Sequence, residues 1–272
     1  MAKAKAKTAK STTKSTSIVT FLLDRSGSMD SCKPATIEAF NAYLGGLQEE
    51  TEAEISFTFL QFDTQSLDKV YVAVPVADAQ RLTTASYLPR GGTPLIDAAV
   101  KTIHAVDVSL VARSDKPKIV VCFQTDGHEN ASTEHTWEEL RALVTQKTAE
   151  GWQFNFMGAG IDGYAQAAKM GVGAMNTMSY DHTNLAATNH AFAASASNAR
   201  SFATGRSLNT NYSAKQRASS GDRFGHAHGV GGVSASPVAS QIATARAQPL
   251  DLTSPVAPVA PKRRQTVPDI KL

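Results

Sequence analysis

Cysteine is scarce in this chain. The two present, Cys32 and Cys122, are too few for a disulfide framework, and Cys122 sits inside an apolar run as a buried free thiol would. The expected compartment is therefore reducing and cytoplasmic. No stretch reaches the roughly 18 consecutive apolar residues of a membrane span, so no membrane partner is expected. The N-terminus is basic, but no apolar segment follows it as in a secretory signal, and its Lys-Ala composition lacks the Arg of a mitochondrial leader. Catalytic signatures are missing as well. There is neither a G-x-S-x-G elbow nor a Walker A loop. His104 falls on a predicted helix and His135 near a helix start, neither beside the Ser or Cys of a triad. The expectation is a protein that is not an enzyme. No internal repeat is present.

Acid is absent from residues 1–16, which carry five Lys. Residues 17–200 carry a net charge of −8, and residues 201–272 a net of +6. The whole-chain value of +3 thus hides an acidic body between two basic ends. "MAKAKAKTAKSTTKST" is low in complexity and reads as a disordered basic tail over 1–16. Residues 203–272 hold two aromatics, Tyr212 and Phe224, and six prolines, and they read as a second disordered, Ala/Ser/Pro-rich basic tail.

Between the tails, over 17–202, apolar runs alternate with helical patterns. Strands are predicted at 18–24, 54–63, 69–74, 118–126 and in "WQFNFMGAG", with another in "AMNTMSY". "KVYVAV" is short enough to lie at a sheet edge. Helices are predicted from Pro34, from near Pro94, from Ser132 or Thr133 in a capping box and ending at Gly151, over 162–170, and over 183–200. Such alternation implies an α/β, Rossmann-like, doubly wound and mostly parallel sheet flanked by helices.

In such sheets ligands gather at the carboxyl ends of the strands. "FLLDRSGSMDS" ends a buried strand and at once presents Asp24, Ser26 and Ser28 at alternate positions. Asp126 follows the "KIVVCFQT" strand, and Thr93 lies in "RGGTPL" just before a helix. Together they form an oxygen-only donor set, which suits a hard divalent cation, Mg²⁺ (or Mn²⁺ or Ca²⁺), better than zinc. Each residue taken alone also reads as a helix cap.

The D-x-S-x-S stretch, the distant Thr and the Asp of "TDG" resemble the metal-ion-dependent adhesion site (MIDAS) of the von Willebrand factor A (vWA) family. "PRGGTPLIDA", "TDGHENAS" and "GWQFNFMGAGID" add to the likeness, which is greatest for stand-alone bacterial and phage members. The resemblance implies a six-stranded sheet with one antiparallel edge strand. It implies a metal held by Asp24, Ser26, Ser28, Thr93 and Asp126, with hydroxyls bound directly and carboxylates partly through water. It also implies an open coordination position that captures an acidic side chain of an unidentified protein partner. Arg25, Met29, Gly92, His128 and Asn130 are candidates for the partner-binding rim, and Asp63 for a supporting role behind the metal.

Two other readings stand beside this one. The Lys-rich head and "PKRRQ" would bind nucleic acid or another polyanion, though they lack interleaved aromatics. "GAGIDG" (158–163) is a literal G-x-G-x-x-G between a strand and a helix, with Asp181 farther on, and would serve a dinucleotide-dependent enzyme. A metal-activated water would make the site itself an enzyme.

Overall fold

The computed structural model describes residues 14–232. β1 (Ser15–Asp24) is followed by a 3-10 turn and α1 (Lys33–Gln48). β2 (Ala53–Phe62) and β3 (Leu67–Pro75) come next, then a long loop and α2 (Leu95–Leu110). β4 (Lys118–Thr125), α3 (Trp137–Ala149), β5 (Gln153–Ala159), α4 (Gly163–Met170), β6 (Thr177–Tyr180), α5 (Leu185–Ala203) and the short α6 (Ala214–Ser219) complete the order. None of these helices is long and apolar enough to cross a membrane.

The six strands lie in the order β3-β2-β1-β4-β5-β6. All neighbours are parallel except β2 and β3, which pair antiparallel. The expected fold class, with its single antiparallel edge strand at "KVYVAV", is the one observed. β1 is central, and its continuous apolar run has a direct cause: both faces are covered. Val19, Phe21 and Leu23 point into one core with α1 and α5, while Ile18 and Leu22 point into the other with α2, α3 and α4. Aromatic rings fill the first core, with Phe21 4.8 Å from Tyr43 and Phe40 4.3 Å from Phe59, centroid to centroid. Cys32 and Cys122 are buried and unpaired, as expected, and burial pushes the Cys122 thiol up to about 12.

The capping box of α3 lies later than expected. Thr136 accepts from the Glu139 backbone and Glu139 returns the bond, whereas the Ser132 hydroxyl donates to Glu129. The larger correction concerns the end of the domain. Residues 203–232, read from sequence as part of a tail, pack into the body. Thr210, Tyr212, Arg217, Ser220 and Asp222 are all buried. They cover the outer edge of β6, which has no strand beside it among the described residues. Arg217 donates to the carbonyls of Ala174, Met175 and Thr177, and to that of Tyr212. The Asp222 carboxylate accepts from Ser179 N at 3.2 Å and from the Tyr164 hydroxyl at 2.5 Å. Asp181 N donates to Ser220 O at 3.0 Å. Side chains and turns thus meet the edge groups that a seventh strand would otherwise take. The expectations for residues 1–13 and 233–272, including both basic segments, lie outside the described residues.

Candidate metal centre

The strand order reverses between β1 and β4, since β1 passes next to β2 on one side and β4 lies on the other. The carboxyl ends of these two strands diverge into separate loops and leave a crevice between them. Asp24 ends β1, and Thr125 and Asp126 end β4. The chemistry-bearing residues therefore stand at the switch point of the sheet.

Asp24 is wholly buried. Its carboxylate accepts from Ser26 N at 2.6 Å and from the Thr125 hydroxyl at 2.5 Å. Ser26 and Ser28 hydroxyls lie 3.1 Å apart, and Ser28 donates to Asp126 at 2.7 Å. A Cβ on Gly127 would stand 3.2 Å from the Thr93 hydroxyl and 3.8 Å from that of Ser28. All five sequence-predicted ligands are thus drawn to one place. Capping does not explain Ser26 or Thr93. Ser26 sits at the N-cap of the 3-10 turn without making a side-chain cap bond, and the residue at the N-cap of α2 is Pro94, not Thr93.

Three loops are tied together to hold this geometry. Tyr87 donates to the Asp24 carbonyl at 2.7 Å, Arg90 N to Arg25 O at 2.9 Å, and Gly27 N to Gly91 O at 3.0 Å. Asn130 grips Thr93 from both sides, with its Oδ1 accepting from Thr93 N and its own N donating to Thr93 O. Glu129 accepts from Ile96, Ala131 and Ser132, and Asp97 from Thr133, Glu134 and His135, which fixes the 127–136 loop to the start of α2. Gln166 donates to Gly127 O from below.

The electrostatics are unbalanced. The hydrogen-bond partners of both carboxylates are neutral. Burial pushes Asp24 up to about 6, helped by the nearby Asp126, against the bonds from Thr125 and Ser26. Burial also raises Asp126, while the Ser28 bond and nearby His182 pull it down. Two acids and three hydroxyls around a crevice buried on one side, with no Lys or Arg among the described residues bonded to either acid, fit a hard divalent ion in charge and donor type. Among the described residues no group of three His, Cys, Asp or Glu is placed to hold a metal ion.

The rim departs from expectation. Arg25 is buried and turned away from the crevice, because Asp63 and Asp68 pull its guanidinium to 2.7 Å from each and Ser66 takes a third bond. Asp63 is spent on Arg25, Arg90 and the backbone of Gln65 and Ser66, so it braces the loop and does not reach the ligands. Met29 is fully buried in the apolar core and is no rim residue. His128 and Asn130 are exposed and Gly92 is half-buried, as a rim requires. His182, not foreseen, packs on Gly160, where a Cβ would stand 2.1 Å from its ring. Nothing in "YDHTN" marks it, since its place depends on the β5–α4 turn.

The G-x-G-x-x-G reading fares poorly on the same ground. The Asp162 side chain accepts from Tyr164 N, placing a carboxylate where a pyrophosphate would sit at the α4 N-terminus. His182 fills the space over Gly160, and a Cβ on Gly163 would stand 3.0 Å from the Phe156 ring. These glycines serve close packing of strand, turn and helix.

No protein-family model matches the sequence, and no curated protein matches it. Solved structures do resemble it in shape. A von Willebrand factor type A protein from Catenulispora acidiphila is 15% identical over 68% of this chain and 43% of that one, with a TM-score of 0.49. Proximal thread matrix protein 1 from the mussel byssus, with a zinc-occupied MIDAS motif, is 12% identical over 68% of this chain and 48% of that one, with a TM-score of 0.48. Manganese-loaded TRAP protein from Plasmodium vivax is 14% identical over 65% of this chain and 73% of that one, with a TM-score of 0.45. This chain spans less than half the length of the first two.

Proposed function

We propose that Asp24, Ser26, Ser28, Thr93 and Asp126 hold one divalent cation, Mg²⁺ by the hardness of the donors, and that the ion captures a carboxylate from a protein partner. The observation that carries this reading is the convergence of two raised carboxylates and three hydroxyls at the sheet's switch point, with only neutral groups bonded to the acids. Hydroxyls bring donor atoms without charge. An ion held largely by them keeps an unmet positive charge, and an incoming carboxylate supplies both a sixth ligand and a counter-charge. Ser28 is exposed while Asp24 and Ser26 are buried, which leaves one side of the site open to solvent. Asn130 and Gly92 lie beside Thr93, and with the exposed His128 they are the residues this reading assigns to the rim. This reading assigns the site a binding role.

Water-proton relaxation with Mn²⁺ as the ion tests the reading. Bound Mn²⁺ should keep a fast-exchanging water, and acetate or a glutamate-containing peptide should displace it. Bound Mn²⁺ without an exchangeable water, or with one that carboxylates leave in place, contradicts it.

A further inference from the structure

β4 and β5 run in register to Thr125 and Gly158, and β5 and β6 to Ala159 and Tyr180. Just past these ends stand Asp126, Gly160 and His182, on three neighbouring strands spaced about 4.8 Å apart. The Gly160 N–H donates to Tyr180 O at 2.8 Å, which keeps the last two rows together. The His182 ring lies back over Gly160, toward β4. A Cβ on Gly160 would collide with Nδ1 and Cε1 of that ring, and glycine at a φ of 70° leaves the room. The ring therefore stands about one strand spacing from the residues that follow β4. It is near enough to pull the Asp126 carboxyl down. Gly127, the next residue, is itself beside Thr93 and Ser28. His182 Nδ1 is enclosed and has no hydrogen-bond partner. A proton there would be orphaned, so the neutral ring carries it on Nε2, which is not enclosed. Among the described residues nothing accepts from Nε2. Asp126 takes its bond from Ser28, and Asp181 takes two from Thr183.

We infer that this Nε2–H is the second half of the carboxylate site. One oxygen of the partner's carboxylate meets the metal, and the other accepts from His182. The inference rests on the metal reading above and names the residue that makes the open position selective. A carboxylate satisfies metal and imidazole together, whereas an anion with a single donor atom satisfies the metal alone. His182 is thus a positioning residue for the partner and holds no part of the ion.

Water-proton relaxation of the full chain with Mn²⁺ tests it. H182L and H182Q both refill the space over Gly160, and H182Q offers an N–H that H182L lacks. Titration with Mn²⁺ alone should give the same affinity for wild type and both variants. Acetate should displace the exchanging water from H182L only at about tenfold higher concentration than from wild type, with H182Q within about threefold of wild type. Fluoride, which has no second oxygen, should act on wild type and H182L alike. Failure of acetate to act on wild type means that the metal reading fails, and this inference with it. Four results overturn the role of His182 and leave the metal reading standing: equal acetate affinity of wild type and H182L, an H182Q as weak as H182L, a fluoride effect as large as that of acetate, or a loss of Mn²⁺ affinity in H182L.

Discussion

Asp24 shows the conflict that the proposed metal site builds into the fold. Its carboxyl is raised from 3.8 to about 6 by burial, so the metal-free protein holds an ionised group at neutral pH against its environment. Folding then favours the protonated form. The stabilisation from that proton is complete below the unfolded value of 3.8 and is lost as pH rises through about 6. In chelator, wild-type protein should therefore unfold at a higher temperature at pH 5 than at pH 7 from this group's contribution. Asp24→Asn removes the charge and keeps the shape. It should match or exceed wild-type stability at pH 7 in chelator, by up to about 2–3 kcal/mol on the size of the shift. A D24N chain less stable than wild type there would mean that Asp24 serves the fold. Metal and proton also compete for the same oxygens. Affinity for Mg²⁺ or Mn²⁺ should be flat above pH 6 and fall by up to about tenfold per pH unit below it. A calorimetric series across pH 5–8 checks this.

At this scale the convergence of Asp24, Ser26, Ser28, Thr93 and Asp126 was legible, and the surroundings only in part. Asp24, Ser26 and Ser28 announce themselves by local spacing at a strand end. Arg25 and Met29 lie between them in sequence, yet the direction of each is set from afar, by Asp63 and Asp68 for one and by the apolar core for the other. Thr125 was passed over as the last residue of a strand, although its hydroxyl is bonded to Asp24.

Elements were read well where apolar periodicity marks them and poorly where polar groups do the packing. The strands and α1 to α5 follow from runs and turns of apolar residues. Residues 203–232 have few such residues, and their burial rests on Arg217, Asp222 and Tyr164. No apolar pattern records a core made of hydrogen bonds. Arg217 has no exposed surface, and its removal takes away the side-chain donor to the carbonyls of Tyr212 and Thr177 and the cation that faces Asp222. Arg217→Met should therefore cost about 3–5 kcal/mol in urea unfolding. Arg206, half-exposed and paired with Glu50 and Glu52, gives the contrast: R206A should cost about 1 kcal/mol or less. Equal effects of the two variants would mean that the Arg217 network is not holding the β6 edge.

For the whole molecule, the two edges of the sheet are treated differently. Residues 203–222 cover β6, while β3 relies on a bulge, a Lys and a Pro. A chain of residues 14–232 should unfold in one cooperative step. One ending at 202 should lose that cooperativity or aggregate, because the groups along β6 and the Tyr164 hydroxyl lose their partners. Equal stability of the two chains would restore the shorter domain that the sequence suggests.

The central claim is that five oxygen-bearing side chains at the β1–β4 switch point hold one divalent cation. Titration of the full chain with Mn²⁺, followed by electron paramagnetic resonance of the free ion, tests it most directly. The expected result is one bound ion per wild-type chain, none for D24N, and weakened binding for Ser28→Ala and Thr93→Ala, with unchanged circular dichroism throughout. Equal Mn²⁺ binding by wild type and D24N, or no binding by wild type at millimolar Mn²⁺, would contradict the account.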